Sequence, residues 1–116
     1  MQRIMMKSKL HTPTITGLEL YYEGSITLDP ELMEAADMLA GEQVQVVNLN
    51  NGERLFTYII EGERGTGQVE LNGPAARKGA VGDRIIIISY AHVNEEDARG
   101  FEPVIVHVGE GNRTSP

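Results

Sequence analysis

The feature that most constrains this chain is a succession of short segments in which apolar and polar residues alternate, separated by turn-forming pairs. Alternation sends successive side chains to opposite faces of an extended strand, so each segment can bury one face against a shared core. In residues 3–11, Ile4, Met6, Ser8 and Leu10 fall on one face and Met5, Lys7, Lys9 and His11 on the other. Leu18, Leu20 and Tyr22 alternate again, Gly24 interrupts, and Ile26 and Leu28 resume an extended stretch. Val44 and Val46 begin another strand before Asn51-Gly52, a pair suited to a tight hairpin because both residues tolerate positive φ. On the return segment, 54–60, Arg54, Phe56, Tyr58 and Ile60 share one face and Leu55, Thr57 and Ile59 the other. Gly62, Gly65 and Gly67 mark a loop before Val69 and Leu71, and Asn72-Gly73-Pro74 is a second turn. Ile85-Ile86-Ile87-Ile88 reads as a buried strand, and Phe101 to Val108 as a final one, with Pro103 at an edge or an irregular start.

Helical signals are few. Asp29 suits an N-cap, Pro30 the first helical position and Glu31 the positive end of the dipole. Leu32, Ala35, Ala36 and Leu39 then repeat at helical spacing, and Gly41 closes the element. Short helical pieces are expected at Ala75 and Ala76, and after Asn94 through Glu95, Glu96 and Asp97. Roughly seven strands with one or two short helices favour a small β-barrel, a sandwich being the alternative. One domain is expected over 1–108, and the polar stretch GEGNRTSP, 109–116, is expected to be a loose tail.

Composition narrows the function classes. A formal net charge of -7 disfavours nonspecific binding to nucleic acid or an anionic membrane. With four Tyr, two Phe and no Trp, stacking platforms for bases are poorly supplied. The absence of Cys excludes thiolate chemistry and Cys-ligated metals, and His11, His92 and His107 lack ligand spacing, so no metal is expected. The opening MQRIMMKSKL lacks the continuous apolar run of a signal peptide, and the Ile85-Ile86-Ile87-Ile88 run is far short of the about 20 residues a membrane helix needs. A soluble, cytoplasmic protein is the expectation. A chain of 116 residues has little room for an enclosed pocket, so an active site at a subunit boundary is reasonable.

Common catalytic motifs are missing. Gly62-Glu63-Arg64-Gly65-Thr66-Gly67 is a glycine-bearing turn and not a phosphate loop, and no Ser sits in a nucleophile elbow. The informative segment is Tyr21-Tyr22-Glu23-Gly24-Ser25-Ile26-Thr27. Alone, a Gly-Ser step between strands is an ordinary bend. It is joined here by Lys9-Leu10-His11, Asn51-Gly52-Glu53-Arg54, Thr57-Tyr58, Glu63-Arg64-Gly65, Asn72-Gly73, Ala75-Ala76 and Val81-Gly82-Asp83. At these separations the set resembles the aspartate α-decarboxylase family, self-processing pyruvoyl enzymes of pantothenate and coenzyme A biosynthesis, from about Met1 to about Pro103.

That resemblance implies a six-stranded double-psi β-barrel with small helices, assembled as a homotetramer with active sites between subunits. It implies cleavage between Gly24 and Ser25 into a β-chain, 1–24, and an α-chain, 25–116. The Ser25 hydroxyl would attack the Gly24 carbonyl, and elimination and hydrolysis would turn Ser25 into a covalent pyruvoyl group. An activator protein for that cleavage is a further partner the resemblance allows. The pyruvoyl ketone would form a Schiff base with the amine of L-aspartate, carbon dioxide would leave, and β-alanine would be released. Tyr58 matches the proton donor, and a phenol, with a pKa near ~10, is protonated at neutral pH. Arg54, on the same strand face, suits a bidentate grip on a carboxylate. Lys9 matches another substrate-pocket position; with Lys7 and His11 on the same face, a local cationic cluster would reconcile a dianionic substrate with an acidic protein. Thr57 matches a position placed to hydrogen-bond the Gly24 carbonyl, and Asn72 and Gly73 match the turn lining the pocket. Many relatives carry Ala where Pro74 stands, so a backbone donor lost there would have to come from Ala75. His11 and Tyr22 match further pocket positions. Two other readings stay open: a non-catalytic barrel that binds a small ligand or protein, and a pyruvoyl decarboxylase acting on another amino acid.

Overall fold

The computed structural model describes residues 1–114. Eight strands form one hydrogen-bonded series among them. They are β1 (Gln2–Thr14), β2 (Gly17–Glu19), β3 (Ser25–Leu28), β4 (Gln43–Asn48), β5 (Arg54–Glu61), β6 (Val69–Asn72), β7 (Arg84–Asn94) and β8 (Val104–His107). The order is β2-β6-β3-β5-β4-β7-β1-β8. β1 with β8, β2 with β6, and β3 with β5 run parallel, and the remaining pairs antiparallel. Each parallel pair joins strands distant in sequence, so the chain crosses over itself. Where six strands were expected, eight appear; the short β2 and β8 complete parallel ladders at the two ends of the series.

Alternation produces the core directly. Leu10, Ile26, Leu28, Val44, Val46, Ile59, Val69, Leu71, Ile85 and Ile87 point inward from six different strands and pack with Ile15 and Leu32. Each such side chain contributes about 1.5–3 kcal/mol by leaving water. The isoleucine run is buried on one face only: Ile85 and Ile87 are sealed, whereas Ile86 and Ile88 are partly exposed. On β1 the inward face holds from Ser8 and Leu10, but Ile4 is 67% exposed. The ladder shifts register between Met6 and Ser8, and the outer ends of β1 and β7 pair with each other beyond the core.

The helix begins as its sequence dictates and stops early. Helix α1 is Pro30–Ala35, with the Asp29 side chain accepting from the Glu31 N–H. Its carboxylate also accepts from the N–H groups of Gly65 and Gly67, at 3.1 and 2.8 Å, and so ties the helix start to the glycine loop. Asp37 takes a left-handed φ of 53°, which ends the helical path before Leu39 and leaves that residue exposed instead of on a buried stripe. A 3₁₀ segment spans Gly73–Lys78, and a second short helix, α2, spans Glu95–Ala98.

Three further expectations are revised. The alternation through Leu20 and Tyr22 does not extend a strand: β2 ends at Glu19, and an exposed bend carries Tyr21, Tyr22 and Glu23 to Gly24. The last strand is Val104–His107, starting after Pro103, whose ring nitrogen has no proton to give a ladder. The stretch from Gly109 is no loose tail as far as Thr114. Asn112 is buried, donates to the carbonyls of Thr14 (2.8 Å) and Gly67 (2.7 Å), and accepts from the Thr14 N–H at 2.7 Å. Residues 115–116 of that tail lie outside the described residues. Among the described residues no helix is long and apolar enough to cross a membrane.

Candidate active site

Strand register assembles one dense polar cluster. β3 and β6 pair antiparallel with Ser25 opposite Asn72, and β3 and β5 pair parallel with Ile26 beside Ile59. Ser25 is fully buried, and its hydroxyl donates to the Glu23 carbonyl oxygen at 2.8 Å. The Asn72 Nδ2 amide donates to Ser25 Oγ at 3.0 Å and to Thr27 Oγ1 at 2.8 Å. Ser25 and Thr27 are two residues apart on one strand, so both reach the same partner. An amide with two N–H groups can satisfy both hydroxyls at once.

Gly73 explains why this cluster is so close to the bend. Its φ is +63°, and a Cβ there would stand 2.6 Å from the Tyr22 carbonyl oxygen and 2.8 Å from the Gly24 nitrogen. Only glycine lets the end of β6 press against the chain at that point. Pro74 follows; a Cβ on Gly24 would meet its Cδ at 3.4 Å, an ordinary tight contact. An open cavity of about 380 Å³ is bordered by Gly24, Leu55, Phe56, Thr57, Tyr58, Pro74, Ala75 and Lys78.

On β5, Tyr58 hydroxyl donates to Glu23 Oε2 at 3.0 Å. The accepting carboxylate, helped by partial desolvation and by the charge of Glu23 itself, raises the phenol above its usual pKa. The phenol therefore stays protonated through neutral pH. Arg54 lies on the same exposed face, four residues before, and makes no ion pair among the described residues. Thr57 borders the cavity with Gly24, but the hydrogen bond expected from its hydroxyl to the Gly24 carbonyl is not formed. Tyr22 is exposed beside a shallow depression that it shares with Thr27, Asn72 and the carboxylates of Glu19, Glu61, Glu63 and Glu70.

Lys9 and His11 are not brought to this cluster within the protomer. They lie on β1, and β5, β4 and β7 intervene in the series between it and β3. His11 stands opposite His107 of β8, with ring centroids 5.7 Å apart at 78°. Burial lowers its pKa, as do the charges of Lys9, His107 and Arg84, so the imidazole is biased towards neutrality. Lys7 turns away to Glu42, at 2.9 Å, and to the Asp37 carbonyl. The expected cationic cluster is thus reduced, on this face, to Lys9 and a neutral-leaning His11: the bulge between Met6 and Ser8 and the carboxylate of Glu42 take Lys7 out of it.

Two residues had no assigned role in the sequence. Thr27 could have been found, since the i, i+2 rule puts it on the Ser25 face. Glu23 had no such signal, because its partner Tyr58 is 35 residues away.

Known proteins resemble this chain along nearly its whole length. A model of the aspartate decarboxylase family matches residues 1–115. The chain is 55% identical to aspartate 1-decarboxylase of Thermoanaerobacter pseudethanolicus over 113 residues, covering 97% of each. It is 53% identical to that of Syntrophus aciditrophicus, again with 97% of each covered. For the Ralstonia nicotianae protein the identity is 51%, with 97% of this chain and 94% of that one covered. Among solved structures, the computationally designed protein msDPBB_sym2, a double-psi β-barrel, superposes with a TM-score of 0.50 at 16% identity, over 77% of this chain and 99% of that one. That likeness identifies the fold as a double-psi β-barrel. The near-complete match to a single enzyme family places this chain in it: it belongs to the aspartate decarboxylase family, a family of carboxy-lyases.

Proposed function

We propose that this chain is the precursor of a pyruvoyl-dependent enzyme that converts L-aspartate to β-alanine and carbon dioxide, supplying pantothenate and coenzyme A biosynthesis in the cytoplasm. The observation that carries the reading is Ser25: a fully buried hydroxyl, directly after Gly24, held between the Glu23 carbonyl and the Asn72 amide. In self-cleavage, Ser25 Oγ bonds to the Gly24 carbonyl carbon as the peptide C–N bond breaks, and the hydroxyl proton passes to the freed amine. Loss of the Ser25 α-proton with the ester oxygen leaves dehydroalanine and a Gly24 carboxylate. Water then replaces the nitrogen, releasing ammonia and leaving a pyruvoyl group on the chain of residues 25–116.

The surroundings fit that group: position 25 is buried, and Asn72 Nδ2 already donates to the oxygen borne there. The pyruvoyl ketone supplies an electrophile for the substrate amine and an acceptor for the electrons left behind by carbon dioxide. Everything else is work for side chains. Tyr58, kept protonated, delivers a proton to the substrate α-carbon, and Arg54 pairs with a substrate carboxylate across the exposed face of β5. Pro74 and Ala75 close the cavity wall beside Gly24. Lys9 and His11, remote in the protomer, reach the pocket of a neighbouring subunit in a homotetramer.

Denaturing intact mass of the purified protein, with and without cell extract, tests the reading. Two fragments split after residue 24, the larger starting with a pyruvoyl group, are expected. Ser25→Ala is expected to give a folded, single-chain, inactive protein; a cleaved Ser25→Ala chain would remove Ser25 from the mechanism.

A further inference from the structure

Glu23 touches both halves of the chemistry and belongs to neither by sequence. Its backbone carbonyl accepts the Ser25 hydroxyl at 2.8 Å, while its carboxylate accepts the Tyr58 hydroxyl at 3.0 Å. In the intact chain, therefore, the phenol hydrogen is already committed to a carboxylate. The bend cannot relax locally, because Gly73 packs against the Tyr22 carbonyl and the Gly24 backbone.

We propose that Glu23 is a positioning residue that holds Tyr58 out of service in the precursor and gives it up when the chain breaks. The inference rests on the self-cleavage reading and adds what cleavage does to the donor. Breaking the bond after Gly24 leaves a new carboxylate one residue from the Glu23 carboxylate, on a segment that has lost its covalent tether to β3. Two anions one residue apart, one of them on the hydroxyl of the cavity-lining Tyr58, repel each other and repel an incoming dicarboxylate substrate. Few cations stand against them. Lys78 borders the cavity but pairs with Glu53 at 2.9 Å, leaving Arg54 on the Tyr58 face. The residue paired with Tyr58 from β4 is the uncharged Gln43, and Tyr22 is the other titratable group acting on the phenol. Departure of the chain end carries the Glu23 carboxylate away from Tyr58, frees the hydroxyl, and opens space beside Gly24 for substrate in one event.

The test is the titration of Tyr58, read by NMR from tyrosine labelled with ¹³C at Cζ and assigned by its loss in Tyr58→Phe. It is read in uncleaved Ser25→Ala protein, in processed protein, and in each with Glu23→Gln or Glu23→Ala. In the uncleaved chain both Glu23 substitutions are expected to move the Tyr58 titration downward; in processed protein Tyr58 is expected to titrate lower from the start and to ignore them. A Tyr58 titration indifferent to Glu23 in the uncleaved chain overturns the proposal, as does an equal response to Glu23 before and after cleavage. If the wild-type chain shows only one mass, the self-cleavage reading fails separately, and with it the release step. Glu23→Gln keeps the shape of the side chain, so a misfolded Glu23→Ala variant leaves the comparison intact.

Discussion

The β3–β5–β6 face and the β1–β8 edge carry functional residues in opposite states. Around Ser25 four polar side chains have partners in the same chain: Ser25 with Glu23 and Asn72, Thr27 with Asn72, Tyr58 with Glu23. On β1, Lys9 has no ion-pair partner among the described residues, and His11 Nδ1 is buried with no hydrogen bond at all. A buried polar atom without a partner costs about 1–3 kcal/mol, so this edge carries an electrostatic cost that the Ser25 cluster does not. The difference teaches a division of labour. On the proposed reading, the first face would hold what self-cleavage needs within one protomer, and the second would offer a cation and an imidazole to a neighbouring site.

The sharpest break in that comparison comes from Tyr58→Phe. Cleavage should proceed, because the hydroxyl pair at Ser25 is untouched, while turnover should fall by about 10²–10⁴ in kcat, the usual worth of a positioned proton donor. Normal turnover of aspartate to β-alanine would take Tyr58 out of that role. Lys9→Ala should also cleave, since Lys9 makes none of the hydrogen bonds that hold Ser25, but its KM for aspartate should rise by about 10–100-fold, the range expected for a lost charge-assisted contact. Co-expressing the Lys9→Ala and Ser25→Ala chains should restore activity above either alone, because a mixed pair of subunits regains one complete site. No restoration would place Lys9 in its own subunit's chemistry or outside it altogether. The smallest effect is predicted for Asn72→Ala. Loss of the amide that orients both hydroxyls should slow cleavage by about 10-fold, which corresponds to roughly 1.4 kcal/mol. The rate of appearance of the two fragments measures it, and an equal slowing in Lys9→Ala would erase the distinction between the two faces.

Much of this was legible from residue order. Inward alternation marked Leu10, Ile26, Leu28, Val44, Val46, Ile59, Val69 and Leu71, all of which are core. Asp29 capped the helix it was expected to cap, and Tyr58 and Arg54 share one strand face as expected, which the fold leaves exposed. Where reading failed, a local pattern was overruled by something distant. Leu39 continued the helical spacing, but the turn at Asp37 ended the helix. Lys7 shared a face with Lys9 on paper, yet a register shift and Glu42 drew it off. Polar residues after Gly109 looked solvated, and Asn112 instead fills a buried seam between Thr14 and Gly67.

The sequence by itself determined which residues face inward, where turns fall, and through the spacing of its motifs which family the chain joins. These follow from steric preferences and side-chain alternation that act within a few residues. Only the tertiary structure decided who meets whom. A strand shifted by two residues along its neighbour keeps every side chain on the same face, so alternation leaves the register open in steps of two. Register is what sets Asn72 opposite Ser25, 47 positions away, and lays Tyr58 under Glu23, 35 positions away. Closure of the barrel chose one register among those the pattern allows, and the candidate site exists because of that choice.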